Sequence, residues 1–82
     1  MNDQEIIEKL QRLVQDIIGD EDFILTKKTR FEDLGISSFG LVQLICAIED
    51  TFDIEIPNEA LRSINGVSAA VKCIKRELKT RG

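Results

Sequence analysis

Two adjacent hydroxyls, Ser37 and Ser38, stand between a glycine and an apolar run in EDLGISSFGLVQLICAIED, residues 32–50. A thiol, Cys46, follows in the same stretch, and Cys73 lies 27 residues beyond it. None of these groups comes with an activator. The chain contains no His, the commonest general base at neutral pH, so a self-contained Ser or Cys hydrolase is not expected. Two thiols without imidazole partners and without CxxC spacing make a poor metal site, and none is expected. They read as small apolar side chains or free thiols of a reducing compartment.

What remains for a hydroxyl at this place is to cap a helix or to carry something. Ser is among the best residues for satisfying the free N–H groups of a helix's first turn. Ser37 fits that cap, and Ser38 then falls at the first helical position. Gly40 and Leu41 stand where a Glu or Gln would complete a capping box for either serine. One serine suffices as a cap. A phosphate ester on the other, Ser38, would lie at the positive end of the helix dipole beside unpaired backbone donors. Position and residue type permit that attachment without requiring it.

The elements that must position these groups are helical. Ile6, Ile7, Leu10, Leu13, Val14, Ile17 and Ile18 recur at helical spacing, with Asn2 and Glu5 spaced as a capping box and Gly19 as the stop. Residues 20–36 show no sustained period, but Phe23, Leu25, Phe31, Leu34 and Ile36 can pin this long loop to a core. Thr29 and Glu32 have capping-box spacing, predicting one helical turn within it. Leu41, Leu44, Ile45, Ile48 and Phe52 form a second stripe, predicting a helix over residues 38–51. Pro57 is expected at the first position of a short third helix carrying Ala60, Leu61 and Ile64 and ending at Asn65-Gly66. A fourth helix starts at Ser68 or its neighbour and buries Val67, Ala70, Val71, Ile74 and Leu78. The expected fold is all-α: a four-helix bundle with three longer helices, a short third one and a long first loop, forming a single domain over residues 1–82.

The second helix holds more apolar residues than that core stripe needs. Phe39, Val42 and Cys46 fall to one side of it, either as a broadened core face or as an exposed strip beside the acidic Glu49 and Asp50. Charge is unevenly placed. The net charge is −4, and from Phe31 through Leu61 there are seven acids and no Lys or Arg. That acidic middle repels phosphate backbones and suits basic protein surfaces, so nucleic-acid binding is not expected. No apolar run is long enough to span a membrane. The first ten residues carry charges and no cleavage-like site, so they do not read as a signal peptide. A monomer in the cytoplasm is the expectation.

The run FEDLGISSFGLVQLICAIEDTFDIEIP resembles the acyl carrier protein family, in which an Asp-Leu-Gly turn, a spacer and an Asp-Ser-Leu triplet lead into the second helix. The ordered set Phe31, Leu34-Gly35, Ser38, Ala47-Ile48-Glu49, Phe52 and Ile56-Pro57 carries the likeness, which extends through EALRSINGVSAAVKCI. The resemblance implies that Ser38 receives 4′-phosphopantetheine from coenzyme A through a separate phosphopantetheinyl transferase. The arm's thiol would then hold acyl, aminoacyl or polyketide intermediates as thioesters, and the chain itself would not be an enzyme. It also implies that Phe39, Val42, Gln43, Cys46, Glu49 and Asp50 meet partner enzymes, which load or condense the cargo and have basic docking surfaces. This sequence departs from the family pattern at four nearby positions. Ser37 replaces the usual Asp, Phe39 the usual Leu, and Gly40 and Gln43 stand where further acids are common. Those departures favour a specialised pathway over housekeeping fatty-acid synthesis and bear on transferase choice. Gly40 also costs up to ~1 kcal/mol of helix propensity relative to Ala, implying a looser attachment turn. The alternative from another class is a carrier-like subunit that is never modified and uses the second helix only to dock.

Overall fold

A computed structural model describes residues 1–81 and shows four α-helices: α1 (Asp3–Ile18), α2 (Ser38–Phe52), α3 (Asn58–Leu61) and α4 (Val67–Arg81). A 3₁₀ turn (Phe31–Leu34) interrupts the long first loop. α1 packs against both α2 and α4. The core is apolar throughout, with Ile6, Leu10, Val14, Leu44, Ile48, Val67 and Ile74 closed off from solvent and no buried polar side chain among the described residues. Each of those seven lies on the stripe that helical spacing assigns to the inside.

α1 begins on the expected capping box. The Asn2 side chain accepts from the Glu5 N–H at 2.9 Å, and the Glu5 carboxylate accepts from the Asn2 N–H at 3.1 Å. Gly19 closes the helix in the left-handed region, φ 73°, which suits a residue without Cβ. Asp3 on the first turn reaches both Lys27 of the loop (3.1 Å) and Lys75 of α4 (2.7 Å), joining three segments at one end of the bundle.

Two glutamines one turn apart hold the first half of the long loop. Gln15 donates through Nε2 to the Phe23 carbonyl, and Gln11 accepts through Oε1 from the Leu25 N–H, both at 2.9 Å. The second half is stitched to the start of α4. Phe31 N–H donates to the Asn65 carbonyl (3.1 Å), and Val67 N–H donates to the Thr29 carbonyl (3.0 Å). Gly66 lies between those two bonds. A Cβ there would come within 2.9 Å of the Thr29 carbonyl oxygen, so the close backbone crossing requires glycine.

Four local expectations need correction. The turn after Thr29 exists, but Thr29 does not cap it; its hydroxyl accepts from the Thr26 N–H at 3.0 Å, and Arg30 takes the cap position without a side-chain bond. Pro57 is the N-cap of α3, not its first helical residue, and α3 stops at Leu61 because Arg62 and Ser63 turn away toward the crossing at Gly66. Leu61 is therefore a rim residue, 36% exposed, while Ile64 stays buried beyond the helix end. α2 runs one residue past Thr51, to Phe52, whereas α4 starts at Val67, the neighbour of Ser68, as expected.

Candidate functional site

The loop enters α2 through Gly35, which is left-handed at φ 70° and turns the chain after Leu34. Ser37 is extended (φ −75°, ψ 174°) and is the N-cap: its Oγ accepts from the Gly40 N–H at 3.2 Å, and its carbonyl accepts from the Leu41 N–H at 2.9 Å. Ser38 is the first helical residue and is exposed. Its hydroxyl makes no hydrogen bond among the described residues, and neither do the backbone N–H groups of Ser38 and Phe39. The two serines are thus separated by task. One hydroxyl is committed to the helix, and the next is an unengaged nucleophile at a helix start that carries no acidic side chain in its first turn. Unpaired N–H donors beside that hydroxyl fit the phosphate of a phosphodiester linkage.

Gly40 is closely packed in this turn. It is buried, and a Cβ built on it would sit 3.2 Å from Ile36 Cβ, so its absence lets Ile36 close over the first turn of α2. The helix-propensity cost of about 1 kcal/mol is incurred where the junction is tightly packed.

Five of the six side chains expected to meet partners lie on the open surface: Phe39 (71% exposed), Val42 (58% exposed), Gln43, Cys46 and Asp50. The strip Phe39–Val42–Cys46 is consequently outside the core. Glu49 has a structural task as well. It is half-buried, and its Oε2 accepts from the Ile56 N–H at 2.9 Å, tying α2 to the segment that leads into α3. Leu41 and Ile45, which periodicity assigns to the core, are only half-buried. They line a groove of about 270 Å³ between α2 and α3 together with Val42, Ile56, Leu61 and Ile64. Val42, Ile45 and Glu49 follow Ser38 at four, seven and eleven residues, so Ser38 stands at the head of the helix face that borders this groove.

The remaining thiol belongs to the fold. Cys73 is 6% exposed, and burial pushes its thiol above the ordinary value, while the nearby Arg76 guanidinium acts weakly in the other direction. Both cysteines are free. Among the described residues no group of His, Cys, Asp or Glu could hold a metal ion, and no helix is long and apolar enough to cross a membrane.

Sequence reasoning missed the α2–α3 groove and the two glutamine ties. Gln11 and Gln15, one turn apart along the margin of the α1 stripe, were the available signal for a tie to a neighbouring segment. The groove left none, because Leu41 and Ile45 have the spacing of any core pair.

Comparison with known proteins covers the segment in which these residues lie. A family model described as a phosphopantetheine attachment site matches residues 8–74. An acyl carrier protein of Guillardia theta is 39% identical over 79 residues, covering 95% of this chain and 98% of the relative. One from Akkermansia muciniphila is 36% identical over 77 residues, covering 93% and 96%. Among solved structures, the acyl carrier protein of Thermotoga maritima superposes with a TM-score of 0.85 at 22% identity, covering all of this chain and 96% of that one. The holo acyl carrier protein of Geobacter metallireducens gives 0.81 at 18% identity, covering 92% and 87%. At those identities the structural likeness speaks for the fold.

Proposed function

As a member of the acyl carrier protein family, this chain is a carrier of covalent 4′-phosphopantetheine and not an enzyme, and we propose that the arm is attached at Ser38. The single observation that carries this reading is the division of labour between the serines. Ser37 Oγ is held by the Gly40 N–H, whereas Ser38 Oγ is exposed and unengaged. In the transfer from coenzyme A, Ser38 Oγ attacks the phosphorus that bears pantetheine. A new P–O bond forms, the pyrophosphate P–O bond breaks, and adenosine 3′,5′-bisphosphate leaves with the bonding pair. The hydroxyl proton passes to a base of the transferase, since the carrier has no His to take it. Once bound, the arm supplies a thiol that holds cargo as a thioester.

The chain's own contribution is presentation and docking. The capped first turn fixes Ser38 at the end of α2, and the apolar wall of Leu41, Val42 and Ile45 runs from it toward α3 as a shelf for the start of a cargo chain. Phe39, Val42, Gln43, Cys46 and Asp50, with Glu49 at the margin, form the surface for loading and condensing enzymes. Exposed apolar residues supply the contact area and the acids favour basic partners. We read the chain as one monomeric, cytoplasmic carrier domain serving a specialised acyl, aminoacyl or polyketide pathway. The uncharged start of α2 supports that reading over a housekeeping fatty-acid carrier.

The test is intact mass after incubation with coenzyme A, magnesium and a broad-specificity phosphopantetheinyl transferase. Wild type gains one phosphopantetheine and Ser38→Ala gains none while keeping its helical content. Modification of Ser38→Ala would overturn the assignment. A folded wild type that stays unmodified beside a modified control carrier would instead favour the unmodified docking subunit.

A further inference from the structure

The charge that the middle of the chain lacks is gathered on α4. Over Val67–Arg81 that helix holds five bases and a single acid, Glu77, whereas residues 31–61 hold seven acids and no base. Lys72, Lys75, Arg76 and Lys79 stand at i, i+3, i+4 and i+7, all exposed. They form one stripe, about 10 Å long, on the outer face of the helix. The fold uses only part of it. Asp3 engages Lys75, and Arg76 pairs with its chain neighbour Glu77 at 3.4 Å. The Lys72 and Lys79 ammonium groups make no ion pair or hydrogen bond among the described residues.

Beside this stripe a cleft of about 430 Å³ opens between α4 and the α3 segment. Ala60 and Ile64 on one side, and Ala69 and Cys73 on the other, give it a mostly apolar lining, and Lys72 and Arg76 border it on α4. The two alanines leave the space, since a larger side chain at either position would occupy it. None of the lining residues belongs to α2 or to the loop before Ser37, and only Ile64 also lines the α2–α3 groove.

We propose that this cleft docks a partner protein through one large apolar side chain flanked by carboxylates, a surface of opposite sign to that on α2. The apolar lining takes the side chain out of water, and Lys72 and Arg76 meet the carboxylates. Glu59 also lines the cleft, from α3, and is in no ion pair among the described residues. It repels an acid brought close to it, so the acids of the occupant lie on the α4 side. Nucleic acid fits less well: phosphates bring nothing apolar to bury, and the net charge of −4 opposes them. The inference does not depend on Ser38. The cleft shares no residue with the exposed strip on α2, so one partner can hold the carrier by α3 and α4 while another works at α2.

The test is a titration of the ¹⁵N-labelled full chain, followed by amide NMR shifts. The probe is a short acetylated helical peptide bearing one Phe, with Glu one turn before it and one turn after it. Amides of Ala60, Ser63, Ala69, Lys72 and Cys73 should shift saturably, and those of Val42 and Cys46 should stay in place. A peptide with Lys in place of Glu should produce no such shifts. Lys72→Glu should weaken binding about tenfold by reversing a charge at the rim. Ala69→Leu should weaken it as much by filling the cleft, and Lys28→Glu, a charge reversal away from the cleft, should leave it unchanged. Melting temperatures check that each variant folds. No saturable shift up to about 1 mM peptide, or shifts centred on α2, would overturn the proposal. So would binding that Ala69→Leu leaves intact, which would show diffuse attraction to a basic helix face and no seat in the cleft.

Discussion

At the scale of single residues, the account turns on two neighbouring hydroxyls with different surroundings. Ser37 Oγ closes a hydrogen bond to the helix, so Ser37→Ala should lower stability by roughly 0.5–2 kcal/mol, the usual range for losing a Ser cap. Chemical denaturation measures that loss, and the variant should still accept phosphopantetheine. A stability equal to wild type would mean that the 3.2 Å contact to Gly40 contributes nothing. Much of this site was legible before any coordinates: Ser before an apolar run reads as a cap, and the absence of His excludes self-activation. The close packing at Gly40 was not legible, because propensity scales describe an isolated helix. They carry no record of Ile36, whose Cβ lies 3.2 Å from the place a side chain at position 40 would begin.

At the scale of elements, the long first loop is held by three devices: the α1 glutamines, the Asp3–Lys27 pair and the backbone crossing at Gly66. Gly66→Ala forces a methyl against the Thr29 carbonyl and should destabilise the fold by about 1–3 kcal/mol, as overpacking does. A denaturation midpoint matching wild type would contradict the crossing. Val42→Asp acts on a different face. With Val42 58% exposed, the substitution should leave the melting temperature close to wild type and weaken loading-enzyme binding by tenfold or so, as loss of an interface anchor does. A large loss of stability would place Val42 in the core. The three long helices were readable because each carries a full stripe at helical spacing. The end of α3 and its cap were not, because they depend on where Arg62 and Ser63 must turn to reach Gly66, a contact between segments that no local pattern records.

At the scale of the whole molecule, charge fastens the bundle and, in the proposed reading, favours basic partners. Asp3 bridges the loop and α4, and its hydrogen bonds to Lys75 first and Lys27 second hold its carboxyl below the usual value of 3.8. A carboxyl depressed in the folded state contributes stability above its unfolded value, and loses it as pH falls through the folded one. Asp3→Asn should therefore be less stable than wild type at neutral pH, and the two should converge as the solution is acidified below the ordinary carboxylate range. The difference should also shrink with added salt, since the bridge is open to solvent. Equal melting curves at neutral pH and low salt would show that the bridge is idle. In the proposed reading, the acidic middle of the chain adds to the apolar strip on α2 an attraction for basic protein surfaces. All of this serves one residue, and the most direct measurement is peptide mapping of the chain after incubation with coenzyme A, magnesium and the transferase. The account predicts one phosphopantetheine per chain, on Ser38. The same mass found on Ser37, or on a peptide lacking both serines, would contradict it.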